Sequence, residues 1–290
     1  MRFQLTDDQR ALRDGMRSLL RGRFGRERLR ACVEKPGLDR ALWASLAEAG
    51  LFTLRLPEDA GGAGLGLPEA VLLFAEAGRA LVPGPLVATH LAGRGDAVVT
   101  VGEPAGSVPY LEDADLVLTA DGPRPAASVR GQAEPVRSVD PLTPLHRTSA
   151  GSPEALRYEG ALLTAALQLG GAEAVLKATV AHVRARAQFG RPVGAFQAVK
   201  HLCADMLTRV ELARVAVYAA AVTGDAADVA TAKLLADEAA VRGARDAIQL
   251  HGGLGFTWEA DLHLYLKRAW LHEREWLSGA GAADELALLL

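Results

Sequence analysis

The chain has 290 residues, half of them hydrophobic, and a formal net charge of -3. That is length enough for one large domain or two modest ones around a substantial core, and the charge offers no basic field for nucleic acid. No apolar run reaches transmembrane length, and Cys32 and Cys203 show neither metal nor redox spacing, so a soluble, cytoplasmic chain in a reducing compartment is expected, with no membrane partner.

The opening MRFQLTDDQRALRDGMRSLL has early acidic residues and no apolar signal core, and it reads as mature structure folded from almost the first residue. Thr6 and Gln9 form a T-x-x-Q capping box, with Leu12, Met16, Leu19 and Leu20 following at helical spacing. The first helix is predicted from about Asp7 to Gly25. A second runs over Asp39–Gly50 on the stripe Leu42, Leu46 and Ala47. LRLPEDAGGAGLGLPEA (54–70) is a glycine-rich loop in which Pro68 suits the first turn of a buried helix, EAVLLFAEAGRAL. These elements make an N-terminal helical domain, 1–93.

Residues 94–152 differ in kind. VVTV, DLVLTA, ASVRG and PVRSVD are short β-type runs broken by Gly, Pro and Asp, which predict four or five strands in a small sheet. From Pro153 the chain turns helical again. Long helices are expected over 154–185, 196–223 and 225–251, with a fourth starting near Ala260, as an antiparallel bundle covering 153–290. The fold class is therefore α+β, mainly α, in the order α-domain, small β-domain, helical bundle.

Few patterns carry chemistry. No Glu-x-x-His pair is present, the histidines are scattered, and neither G-x-S-x-G nor a neighbouring Cys–His pair occurs. GGAGLG (61–66) lacks the Lys-Ser/Thr of a phosphate loop and is read as a connection. Two turns say more. In RAQFGRPVGAFQAVKH (186–201), Arg186, Phe189 and Gln197 converge on a helix–helix corner. They are a helix cap and a core plug, or else a charge, a flat face and an amide for a planar anion. In QLHGGLGF (249–256), adjacent glycines either end a helix or bare the backbone to a ligand.

RAQFGRPVGAFQAVKHLCADM and QLHGGLGFTWEADLHLYLKRA together resemble the acyl-CoA dehydrogenase family of flavoproteins, and LTDDQRALRDGMRSLL and LPEDAGGAGLG fit as well. The resemblance covers 1–93 and 154–272. It implies an α-domain, a β-domain and a four-helix bundle that mediates a dimer or tetramer. It also implies FAD, with the R-x-x-F-G corner and Q-x-x-G-G loop of one subunit closing over the cofactor of its neighbour. Carried over, Arg186 meets the FAD pyrophosphate or adenosine end, Phe189 and Gln197 pack along it, and Gln249, Gly252 and Gly253 touch it through an amide and bare backbone.

The departures from the family are as informative. Its middle domain is normally much longer, and its T-E-P-x-A-G-S-type and aromatic-Ile-Ser/Thr-type ring-binding segments are not readable between 94 and 152; GEPAG (102–106) only echoes the first. The family's catalytic carboxylate takes the α-proton of an acyl-CoA thioester while the flavin takes the β-hydride. Counting on from Gly253 to one of its two known places reaches Trp276, beside Glu273 and Glu275. Counting back from Gly190 to the other reaches Gly160, one residue from Glu159, and one helical residue is about 100° of rotation. Glu159 is the candidate catalytic base of this chain.

A shortened flavin domain with intact interface motifs matches the small subunit of heteromeric bacterial members, which often act on steroid or other bulky CoA thioesters. The leading expectation is such a subunit, in an α2β2-type heterotetramer with a full-length partner that holds the shared FAD. The alternatives are a self-sufficient homo-oligomeric dehydrogenase using Glu159, a non-enzymatic scaffold on the same fold, and a flavin monooxygenase.

Overall fold

Thr6 opens α1 (Asp7–Arg23) in a computed structural model that describes residues 4–288. Its hydroxyl accepts from the Gln9 amide at 3.1 Å, and Gln9 Oε1 accepts from the Thr6 amide at 3.0 Å, completing the predicted box. α2 (Arg26–Glu34) is too charged for its apolar stripe to stand out in the sequence, yet it buries Leu29, Cys32 and Val33. Asp39 caps α3 (Arg40–Glu48), accepting from the amides of Ala41 and Leu42, and also pairs with Arg28 at 2.6 Å. Pro68 lies in the first turn of α4 (Leu67–Arg79), which is buried on nearly every side. α5 (Leu86–Leu91) closes the domain.

The β unit holds six strands in two three-stranded sheets rather than one small sheet. β1 (Val99–Val101) pairs parallel with β3 (Leu116–Thr119), which pairs antiparallel with β4 (Gly122–Pro125). β2 (Ser107–Pro109) and β5 (Glu134–Val136) flank β6 (Leu145–Arg147), both antiparallel. The run ASVRG, expected as a strand, lies in α6 (Ala126–Arg130) and the glycine that ends it. Two facts outweigh its β-type composition. Ala126 and Val129 are buried at helical spacing, and the Arg130 guanidinium fixes the turn by donating to the carbonyls of Leu111, Glu112 and Ala114.

The bundle is built on α7 (Arg157–Ala185), α8 (Gln197–Thr223), α9 (Ala226–His251) and α10 (Leu262–His272), with α11 (Gly279–Ala287) behind α9. α11 is short and small-residue-rich, started by the Ser278 hydroxyl accepting from the Gly281 amide, and no apolar periodicity marks it in the sequence. Leu289 and Leu290, the end of the ELALLL tail, lie outside the described residues, as do residues 1–3. α7 is apolar and long enough to cross a bilayer, but most of it is buried between α4 and α9. Its approach to α4 is backbone to backbone, because a methyl on Gly78 would overlap the Leu167 carbonyl and one on Gly170 that of Ala75. The up-down-up course of α7, α8 and α9 sets the C-terminal ends of α7 and α9 together. That single topological fact positions the site.

Candidate functional site

Arg186 caps α7, its amide donating to the His182 carbonyl at 2.8 Å. The chain then folds back through a two-residue hairpin in which β7 (Ala187–Gln188) pairs with β8 (Arg191–Pro192). Both turn residues are left-handed, Phe189 at φ 52° and Gly190 at φ 77°, the geometry that such short hairpins require. Glycine takes it freely, but a bulky aromatic is strained there. The Phe189 side chain is nonetheless 90% exposed, touching only the edge of Phe196, over which the Arg191 guanidinium lies at 4.2 Å. A strained aromatic held out in water is a pointer to a ligand or partner surface.

The second motif arrives at the same place. His182 of α7 and His251, the last residue of α9, stack with ring centroids 4.0 Å apart. Gly252 ends the helix at φ 60°, and the main chain turns through Gly252–Phe256 with no protein atom within 4 Å of where a Cβ on Gly252 or Gly253 would stand. The glycine pair therefore ends the helix and also leaves its backbone uncovered. All six expected cofactor residues, Arg186, Phe189, Gln197, Gln249, Gly252 and Gly253, are exposed at one end of the bundle. No carboxylate occurs between Glu173 and Asp205, while Arg184, Arg186, Arg191 and Lys200 stand exposed there. These donors fit one wall of a dinucleotide site.

Glu159 lies elsewhere. It occupies the first turn of α7, paired with Arg55 at 2.6 Å and 41% exposed. From there to Arg186 is nearly the whole of α7, about 40 Å at 1.5 Å per residue. The structure does not bring the candidate base and the candidate cofactor wall of this chain together.

Near the start of α7 the cleft between β unit and bundle is shut. Gly160 and Trp276, the two positions reached by counting toward the base, are in contact, and any side chain on Gly160 would overlap the indole. Trp276 is itself left-handed at φ 60°, its amide donating to Glu103 Oε2 at 3.1 Å. Arg268 of α10 reaches across to Asp140 of the β unit at 2.5 Å and to the Val82 carbonyl at 3.2 Å. What remains is a cavity of about 40 Å³ lined by Glu103, Glu275, His272, Arg268 and Tyr110 among others, room for a water or two. Burial pushes Glu275 up to about 7, and burial together with the nearby Glu275 carboxylate pushes Glu103 well above the carboxylate range. The residues present do not fit a flavin ring. Sequence reasoning left Glu103 unnoticed, because nothing in GEPAG announces that its Glu is buried.

The family model described as "Acyl-CoA dehydrogenase, N-terminal domain" matches residues 6–113, and "Acyl-CoA dehydrogenase, C-terminal domain" matches residues 155–275, a span holding every cofactor-wall residue named above. "Acyl-CoA dehydrogenase IpdE2" of Mycobacterium tuberculosis is 36% identical over 91% of each chain. Among solved structures, a chain of the "Tcur3481-Tcur3483 steroid ACAD G363A variant" superposes with a TM-score of 0.85 at 28% identity, covering 98% of this chain and 97% of that one. The "ChsE4-ChsE5 complex from Mycobacterium tuberculosis" shares the fold, with a TM-score of 0.84 at 24% identity over 99% and 98%. This chain belongs to the acyl-CoA dehydrogenase family.

Proposed function

We propose that this chain is the short subunit of a heteromeric, FAD-dependent acyl-CoA dehydrogenase, completing the cofactor site of a full-length partner that carries the catalytic base. One observation carries the reading: the cofactor wall faces solvent about 40 Å from this chain's own candidate base, along a helix rising 1.5 Å per residue, while its own flavin cleft is closed. The fold and family are those of enzymes that dehydrogenate acyl-CoA thioesters between Cα and Cβ. Bound FAD supplies the hydride acceptor. Arg186 gives a forked cation to the pyrophosphate, Phe189 and Gln197 a flat face and an amide, and Gln249 with the Gly252–Gly253 backbone closes the side. The Tcur3481-Tcur3483 steroid enzyme among the structural relatives, named as a pair, supports both a heteromer and a bulky acyl group.

The test is a visible spectrum of this chain alone and after co-purification with a full-length family member. A colourless chain alone and a yellow stoichiometric complex are expected. A yellow lone chain bleached by acyl-CoA would overturn the reading. Glu159→Gln discriminates further. With its carboxylate engaged by Arg55, the complex should keep turnover within about twofold, because surface pairs of this kind contribute about 1 kcal/mol or less. Loss of turnover with intact assembly would make Glu159 the base.

A further inference from the structure

The two wall segments sit on different helices, yet a shared site requires a fixed spacing between them. One contact joins them directly, between a histidine just before the first motif and a histidine inside the second. His182 lies four residues before Arg186, and His251 immediately precedes Gly252; their rings stack 4.0 Å apart with planes at 21°. His251 Nδ1 lies 2.7 Å from the Ala247 carbonyl, which can only accept, so the neutral ring carries its proton on Nδ1 and its orientation is fixed by its own helix.

We propose that His182 and His251 are positioning residues, a joint whose ring stack holds the 186–197 corner and the 252–256 loop at one spacing, and which a proton on His182 weakens. A cation on His182 forces charge into the stack, and the groups around it offer little relief. On α7, Arg186 adds a second cation. Across the cleft that His251 lines stand Arg26, Glu259 and Asp261, of which Arg26 and Asp261 are already paired at 2.6 Å. Burial, His251 and Arg186 all lower the His182 pKa, so His182 is neutral near pH 7 and takes a proton only in acid. The functional arm rests on the shared-cofactor reading above: acidification should loosen the wall and release FAD from the assembled enzyme.

Two measurements keep the joint and that reading apart. In the isolated full chain, hydrogen exchange of 186–197 and 252–256, corrected for intrinsic rate, should rise together as pH falls from 8 to 5. His182→Phe keeps a ring on His251 but cannot take a proton, so it should hold both segments protected at pH 5. His182→Ala should loosen both at every pH. Segments that respond separately, or His182→Phe behaving as wild type, overturn the joint whatever happens to FAD. In the co-purified complex, His182→Ala should weaken FAD retention about threefold to tenfold, the worth of one aromatic stack, with His182→Phe restoring it. A joint confirmed by exchange with FAD retention unmoved by either variant would leave the joint standing and remove the shared wall.

Discussion

Glu103 is buried and Glu275 largely so, on opposite sides of the junction between β unit and bundle, and the cost of these acids depends on pH. Glu275 is raised from 4.5 to about 7 by burial, against the pull of Arg268 and Lys233. A folded pKa above the unfolded one means that folding takes up a proton. The stability is fully present below about 4.5 and is lost as pH rises through about 7. Asp237, raised to about 6 despite Lys233 at 2.5 Å, acts in the same sense. His272 acts oppositely, being buried neutral with its pKa well lowered by desolvation, Arg268 and Lys233; its stability is lost as pH falls below about 6.5. His90, His182 and His263, also lowered chiefly by burial, act in the same sense as His272, so the Glu275 contribution is read from one variant at two pH values rather than from net stability. Glu275→Gln should match wild type at pH 5 and exceed it by about 1–3 kcal/mol at pH 8, read from urea unfolding at both pH values. An unchanged difference between the two would mean that Glu275 is not buried as described.

At the scale of elements, the legible parts were those that bury one stripe over many turns. α1, α3, α4 and the three long bundle helices follow from periodicity, caps and Pro68, because each solves its own burial problem locally. α6 could not be read, since the Arg130 contacts that fix it are with carbonyls 16 to 19 residues away. The corner and loop were legible as motifs, and their adjacency follows from the up-down-up course of α7, α8 and α9; the stack between two imidazoles 69 residues apart along the chain (251 − 182) was not legible. Glycines show the same division. Gly15 and Gly170 look alike in sequence, each inside a predicted helix, but a methyl on Gly15 meets nothing whereas one on Gly170 strikes the α4 backbone. Gly15→Ala should therefore stabilise the chain by about 0.5–1 kcal/mol. Gly170→Ala should cost about 2–3 kcal/mol, as overpacking against immobile backbone does. Melting temperatures of the two variants should move in opposite directions; a shared sign would disprove the close α4–α7 approach.

For the whole molecule, charge is distributed unevenly between the enclosed pairs of the fold and the exposed corner. Several ion pairs are enclosed or partly enclosed: Arg268 with Asp140 and Arg17 with Glu76 between elements, and Lys233 with Asp237 within α9. The corner is the reverse, with Arg184, Arg186, Arg191 and Lys200 in solvent and no acid in the same stretch of chain. Exposed charges are screened once the Debye length falls from about 10 Å at 0.1 M salt to about 3 Å at 1 M, whereas enclosed pairs are screened far less. Salt should therefore separate the two. FAD retention in the complex should fall by about tenfold or more over that range, the scale of one or two charge-assisted hydrogen bonds at about 1.5–3 kcal/mol each, while the unfolding midpoint of the lone chain barely moves. Arg186→Ala should reproduce part of that loss at low salt and flatten the remaining salt dependence, with the circular dichroism of the isolated chain unchanged. Equal salt dependence in variant and wild type would mean that Arg186 faces water in the assembled enzyme as it does in the isolated chain, and that the anion is bound elsewhere.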